Sequence, residues 1–259
     1  RGTVALFADF HQLDGDVTAD GGKGAEVVQW KFIEPKALPT VNFNTYSHGG
    51  GYSSKNLEFW YPQWSGSTVY RFNLNYEQVG QFNVGNSSNK QLWSDPDGTF
   101  YTANWGQDRV RKWVEKGDSQ LWEYYLGSTA GGVCTDESYV YAMRHSGATV
   151  WKLNKSNGQL IEQFDLPNIP SSLYGGLVCI PGRLYYADSG GNVIIYDANS
   201  HQQIGSFSVG DNIYSTAFDG SIIYTSPSSA TVTRHRLVEG NIYEPAGSGG
   251  DGGEGWVVE

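Results

Sequence analysis

The sequence predicts an all-β chain folded as a β-propeller of six blades, each of four antiparallel strands, with five blades as the alternative count. Three observations lead there. A short pattern recurs as VVQWKF (27–32), TVYRFNL (68–74), RVRKWV (109–114), TVWKLN (149–154), NVIIYD (192–197) and TVTRHRL (231–237). Its shared valine falls at Val28, Val69, Val110, Val150, Val193 and Val232, in steps of 41, 41, 40, 43 and 39 residues. A period near forty that holds several short strands is the mark of a propeller. Composition agrees: the 259 residues include 9 Trp, 17 Tyr, 11 Phe and 34 Gly, and only 17% are charged. That balance suits short aromatic-sided strands joined by glycine turns. Turn dipeptides also keep fixed slots, with Asp97-Gly98 and Asp219-Gly220 after first strands and Asn157-Gly158 after a third. Asp-Gly and Asn-Gly are strong hairpin signals because both accept positive φ.

Taken in order, the first repeat is irregular. RGTVALFADF (1–10) is its candidate inner strand, and DGDVTADGGKG (14–24) stands where the second strand and loop belong. The fifth repeat is the clearest. GGLVCI (175–180) is an inner strand, Pro181-Gly182 a turn, and RLYYAD (183–188) a second strand. NVIIYD (192–197) follows as the third, and QQIGSFSV (202–209) as the exposed fourth. A glycine recurs in the second-to-third loop at Gly66, Gly106, Gly147 and Gly190, marking a turn that requires a residue without Cβ. The propeller is expected to span 1–245, with 246–259 a Gly-rich linker and a possible terminal strand. NIYEP (241–245), GWVVE (255–259) or the N-terminal strand could complete the last blade. Closure matters because it removes free strand edges.

DPDGTFYTANWGQDRVRKWVEKGDSQLWEYYLG (95–127) and IPGRLYYADSGGNVIIYDANSHQQIGSF (180–207) resemble NHL repeats, which carry a D-x-x-G-x-x-Y-V-A-D-x-x-x-x-R-V-x-x-F pattern. Gluconolactonases and peptidylglycine amidating lyase are related six-bladed propellers. GGLVCIPGRLYYAD and GGGYSSKN give a weaker likeness to olfactomedin domains, which are five-bladed and extracellular. These resemblances imply a fold and no activity.

The net charge of −10 argues against nucleic acid, whose phosphates call for Lys and Arg clusters. There is no apolar run long enough for a membrane span. The chain opens at Arg1 with no methionine or apolar leader, as a mature or excised domain would. Asn86-Ser87-Ser88 and Asn154-Lys155-Ser156 are acceptor triplets for glycosylation. With a single methionine and two cysteines, they point to a secreted or extracellular protein.

First-strand entrances and second-to-third loops share one end of a propeller. That end should collect His48, Trp64, Asn104, Trp105, Arg144, His145, Tyr174, Asp188, Asp211 and Asn212 as ligand-binding candidates. Aromatic faces beside oriented polar groups suit a sugar or a polar chain, and gap-filling between blades explains the same rings. His48 and His145 could begin a metal site of the amidating-lyase kind, but the pattern supplies no third histidine there. Asp14, Asp16 and Asp20 could hold calcium through oxygen ligands, although no hand-type loop is present; a solvated acidic loop is the other reading. Cys134 and Cys179, 45 residues apart, are expected to occupy one column of adjacent inner strands. A cross-blade disulfide or a column of small residues accounts for them equally. No nucleophile elbow or phosphate loop appears. The sequence therefore favours a non-catalytic binding or adhesion propeller that recognises a glycan or protein through its loop end. A metal-dependent hydrolase or lyase using the central channel is one alternative. A structural subunit joined to neighbours through its terminal strands is the other.

Overall fold

The computed structural model describes residues 28–42, 50–63, 66–85, 88–169, 176–208, 213, 215–218, 222–226 and 231–243. The chain divides into two units, residues 35–237 and the two termini (1–34 with 238–259). Of the terminal unit, residues 28–34 and 238–243 are strand. The larger unit carries the candidate site.

Among the described residues there are five four-stranded antiparallel sheets. Sheet one is β2 (Gly51–Ser53), β3 (Glu58–Pro62), β4 (Thr68–Phe72) and β5 (Gln78–Asn83). Sheet two is β6 (Asn89–Ser94), β7 (Phe100–Asn104), β8 (Arg109–Trp113) and β9 (Gln120–Tyr125). Sheet three is β10 (Ala130–Thr135), β11 (Tyr139–Arg144), β12 (Thr149–Asn154) and β13 (Leu160–Asp165). Sheet four is β14 (Leu177–Ile180), β15 (Arg183–Ala187), β16 (Asn192–Asp197) and β17 (Gln203–Ser208). The fifth runs β18 (Ser215–Phe218), β19 (Ile222–Ser226), β20 (Thr231–Tyr243) and β1 (Val28–Asn42), so the edge strand comes from the other end of the chain. The innermost strands β2, β6, β10, β14 and β18 touch in a closed cycle, β18 returning to β2. This is a β-propeller, and the five-blade count describes these residues.

The repeated valine has a packing reason. Val69, Val110, Val150 and Val193 stand near the start of each third strand, opposite Pro62, Ala103, Met143 and Ala187. All four are buried. The Val28 copy does not head a blade among the described residues; it lies in β1, the edge strand of the fifth sheet. Asn241–Tyr243, proposed from the sequence as a fourth strand, instead continues β20. The core lies between sheets, where aromatics interlock edge to face, as at Trp60–Phe100 and Phe82–Phe100.

Strand register corrects the cysteine column. Cys134 is opposite Tyr141, whereas Cys179 is opposite Leu184, and the residue in sheet four that matches Cys134 is Val178, opposite Tyr185. The two cysteines are thus one residue out of step, yet their Cα atoms are 5.4 Å apart and the sulfurs are bonded. Both hairpins close over two residues, Pro181-Gly182 in sheet four and Glu137-Ser138 in sheet three, where the Asp136 amide donates to the Tyr139 carbonyl, so the offset lies in the cysteine positions themselves. The glycine column is also less uniform than its spacing suggests. Gly147 holds φ at 128°, a region closed to most side chains. At Gly106 an added Cβ would meet only the Ser88 side chain, at 3.4 Å.

Candidate functional site

The site is built from two neighbouring inner strands and the loops beside them. At the start of β6 the pairing with β7 slips between Asn89 and Gln91, leaving Lys90 as the extra residue of a bulge. Strand β10 slips at the equivalent step, between Ala130 and Gly132. Bulges re-aim side chains and gather beside functional sites. Here the bulge turns three consecutive polar residues, Asn89, Lys90 and Gln91, into buried positions.

Gln91 closes the axis. Its Nε2 donates to the carbonyls of Leu177 (2.8 Å) and Thr216 (3.0 Å). Its Oε1 accepts from the amides of Val133 and Leu177, both at 3.1 Å. One side-chain amide therefore ties β6 to β10, β14 and β18. Such a close approach needs small neighbours: a Cβ on Gly132 would lie 2.9 Å from Gln91 Oε1. The axial position where a channel ion would sit is filled by this amide.

Lys90 lies beside the plug, fully buried, and burial pulls its amine down to about 7. The loop after β7 is shaped by Asn104, whose Oδ1 accepts the Gln107 amide at 2.6 Å and whose Nδ2 reaches Asn89 Oδ1 at 3.5 Å. The Trp105 amide donates to the Ser88 carbonyl at 2.9 Å. Held in this way, the Trp105 indole stays 40% exposed. In sheet three the His145 amide donates to the Thr129 carbonyl at 2.7 Å, and a Cβ on Gly131 would come within 2.6 Å of His145 Cα. Gly131 is what lets this loop close down on its own inner strand. The His145 and Trp105 rings meet edge to face at 5.9 Å across the gap between sheets. Burial, reinforced by the Lys90 charge, pulls His145 down to about 4. Arg144, opposite Ala130 at the end of β11, is exposed. It makes no hydrogen bond or ion pair among the described residues.

Trp105 and His145 are thus in contact, with Asn104 and Arg144 as their respective chain neighbours. Asp188 occupies the matching loop of sheet four, but its carboxylate is used locally. It accepts the amides of Gly190 and Asn192 at 2.8 Å and the Asn192 side chain at 2.9 Å. Asp188 forms its turn. His48, Trp64, Tyr174, Asp211 and Asn212 lie outside the described residues, as do Asp14, Asp16, Asp20 and Asn86. Asn154 is described: it organises the β12–β13 turn, its Oδ1 accepting the Ser156 amide at 2.9 Å and hydroxyl at 2.6 Å. Among the described residues no three His, Cys, Asp or Glu side chains converge as metal ligands. Sequence reading missed Asn89, Lys90 and Gln91. Their signal was three polar residues opening a strand, NKQLWS, in a slot where sheets three and four place AGGVCT and LVCI.

The opposite end of the same two sheets differs in kind. Buried Asp95 accepts from Thr135 Oγ1 (2.6 Å) and Tyr101 OH (3.0 Å), and pairs with Lys155 (3.1 Å). That knot is internally satisfied and joins the blades.

No protein-family model matches this sequence. No curated protein sequence matches it either. Solved structures do match. The crystal structure of Myxococcus xanthus glutaminyl cyclase superposes with a TM-score of 0.63 over 82% of this chain and 98% of that one, at 14% identity. A chain in a crystal structure of the mitotic checkpoint complex superposes with a TM-score of 0.51 at 13% identity, over 73% of this chain and 60% of that one. At such identity the likeness is one of fold, and the fold is the β-propeller.

Proposed function

We propose that this protein is an extracellular binding propeller that recognises a glycan through the end formed by the β7–β8 and β11–β12 loops. One observation carries the reading: the exposed Trp105 ring and the half-buried His145 ring meet from neighbouring blades, with the exposed Arg144 next to His145 in the chain and buried polar residues on the adjoining inner strand. A ring that offers its apolar face beside a few oriented polar groups is what a saccharide needs. The Cys134–Cys179 disulfide supports an oxidising compartment, as do the acceptor triplets at Asn86 and Asn154. The NHL-like repeat character is part of this proposal and rests on the quoted motifs.

The test is a glycan array probed with the wild-type protein and with Trp105→Ala. Loss of a ring contact should weaken the bound glycans roughly tenfold or more. Binding that Trp105→Ala leaves intact, or no binding at all, contradicts the reading. A second reading comes from Lys90. A buried amine brought near neutrality is suited to moving protons, and one protein with this fold is named a glutaminyl cyclase. Incubation with a peptide that begins with glutamine would show it as loss of ammonia, abolished in Lys90→Met.

A further inference from the structure

We infer that the ligand of this end is an anionic saccharide, whose carboxylate or sulfate is taken by Arg144 while a sugar ring lies against Trp105. The inference rests on the glycan-binding reading and names the class of glycan. Three observations lead to it.

Arg144 is exposed and has no acceptor among the described residues. The arginines of the neighbouring sheet two are engaged. Arg109 and Arg111 both reach Glu123, at 2.6 and 3.0 Å, and Arg111 also takes Gln107 at 2.6 Å. A guanidinium fork left open at a loop end is the side chain best shaped for a carboxylate or sulfate. Lys90, buried at the start of β6, is a second amine close enough for its charge to act on His145. Finally, among the described residues the Asp188 carboxylate is bonded within its own loop and Glu123 is held by two arginines. Asp165 is on the outermost strand of sheet three. A chain of net charge −10 repels polyanions at long range, so such a ligand must be held by a local cationic site.

The experiment uses two matched pairs titrated calorimetrically into the intact protein: polygalacturonate against its methyl ester, and dextran sulfate against dextran. The charged member of at least one pair should bind roughly tenfold tighter than its neutral partner, and weaken with salt. Whichever pair responds tells carboxylate from sulfate. Arg144→Gln should erase the difference without lowering Tm, since the side chain is exposed. Lys116→Gln, an exposed lysine at the other end of sheet two, should leave it intact. Equal binding of neutral and charged partners overturns the inference, as does a preference that survives Arg144→Gln. If that equal binding is lost in Trp105→Ala, the glycan-binding reading stands without it. If no saccharide on the array shows Trp105-dependent binding, both fall.

Discussion

Lys90 is a lysine that sits fully buried at the start of an inner strand, and it has a measurable cost. Its folded-state amine titrates near 7, below the ordinary value of 10.5. Between those values the unfolded chain holds a proton that the folded chain has released, so stability must rise with pH across that window. His145 adds a lower window on the same sign, between about 4 and its ordinary 6.5. Chemical denaturation from pH 7 to 10 should show a positive slope of up to about 1.4 kcal/mol per pH unit, and Lys90→Met should flatten it. A wild-type profile with no slope there would mean that Lys90 remains charged in the fold. Gln91 gives a second residue-scale prediction. Gln91→Leu strips partners from two buried amides and two carbonyls at the axis. It should cost roughly 3 kcal/mol or more, the order seen when buried polar groups lose their partners. An unchanged denaturation midpoint would show that the axis is not held by this amide.

At the scale of elements, the disulfide staples β10 to β14 across the boundary between two blades. The cysteines are 45 residues apart, and a closed loop of that size is worth about 4 kcal/mol through the unfolded chain. Reduction, or Cys134→Ser with Cys179→Ser, should lower stability by that order, read as a drop in the denaturation midpoint. No change on reduction would contradict the bond. Elements were also where the sequence was most readable. Each strand of the fifth repeat lies within the segment its pattern suggests, because a buried valine recurs on the third strand of sheets one to four. The first copy misled for a physical reason: an edge strand on a sheet obeys the same alternation as a third strand, so the pattern at Val28 could not show which place it fills. The floor of the site was hidden because a bulge is invisible in residue spacing. Only the displaced polar run at Asn89–Gln91 hints that the register slips there.

For the whole molecule, the sheet order makes closure depend on residues from opposite ends of the chain. Strand β1 covers the edge of β20, and an uncovered edge is a template for pairing with other chains. A variant beginning at residue 43 should aggregate or melt earlier than the intact protein, seen by light scattering and thermal denaturation. A monomer of unaltered Tm would show that the ring does not need that strand. Closure also fixes the loops in space, so that the rings of Trp105 and His145, 40 positions apart in sequence, meet.

We propose that a ligand binds at this end of the propeller, and hydrogen exchange of the intact protein, measured by mass spectrometry with and without acidic oligosaccharide, is the decisive measurement. Slowed exchange is expected in residues 104–107 and 144–147, with no change at the Asp95 end of the same blades. Protection confined to the outer strands or to the Asp95 end would contradict it.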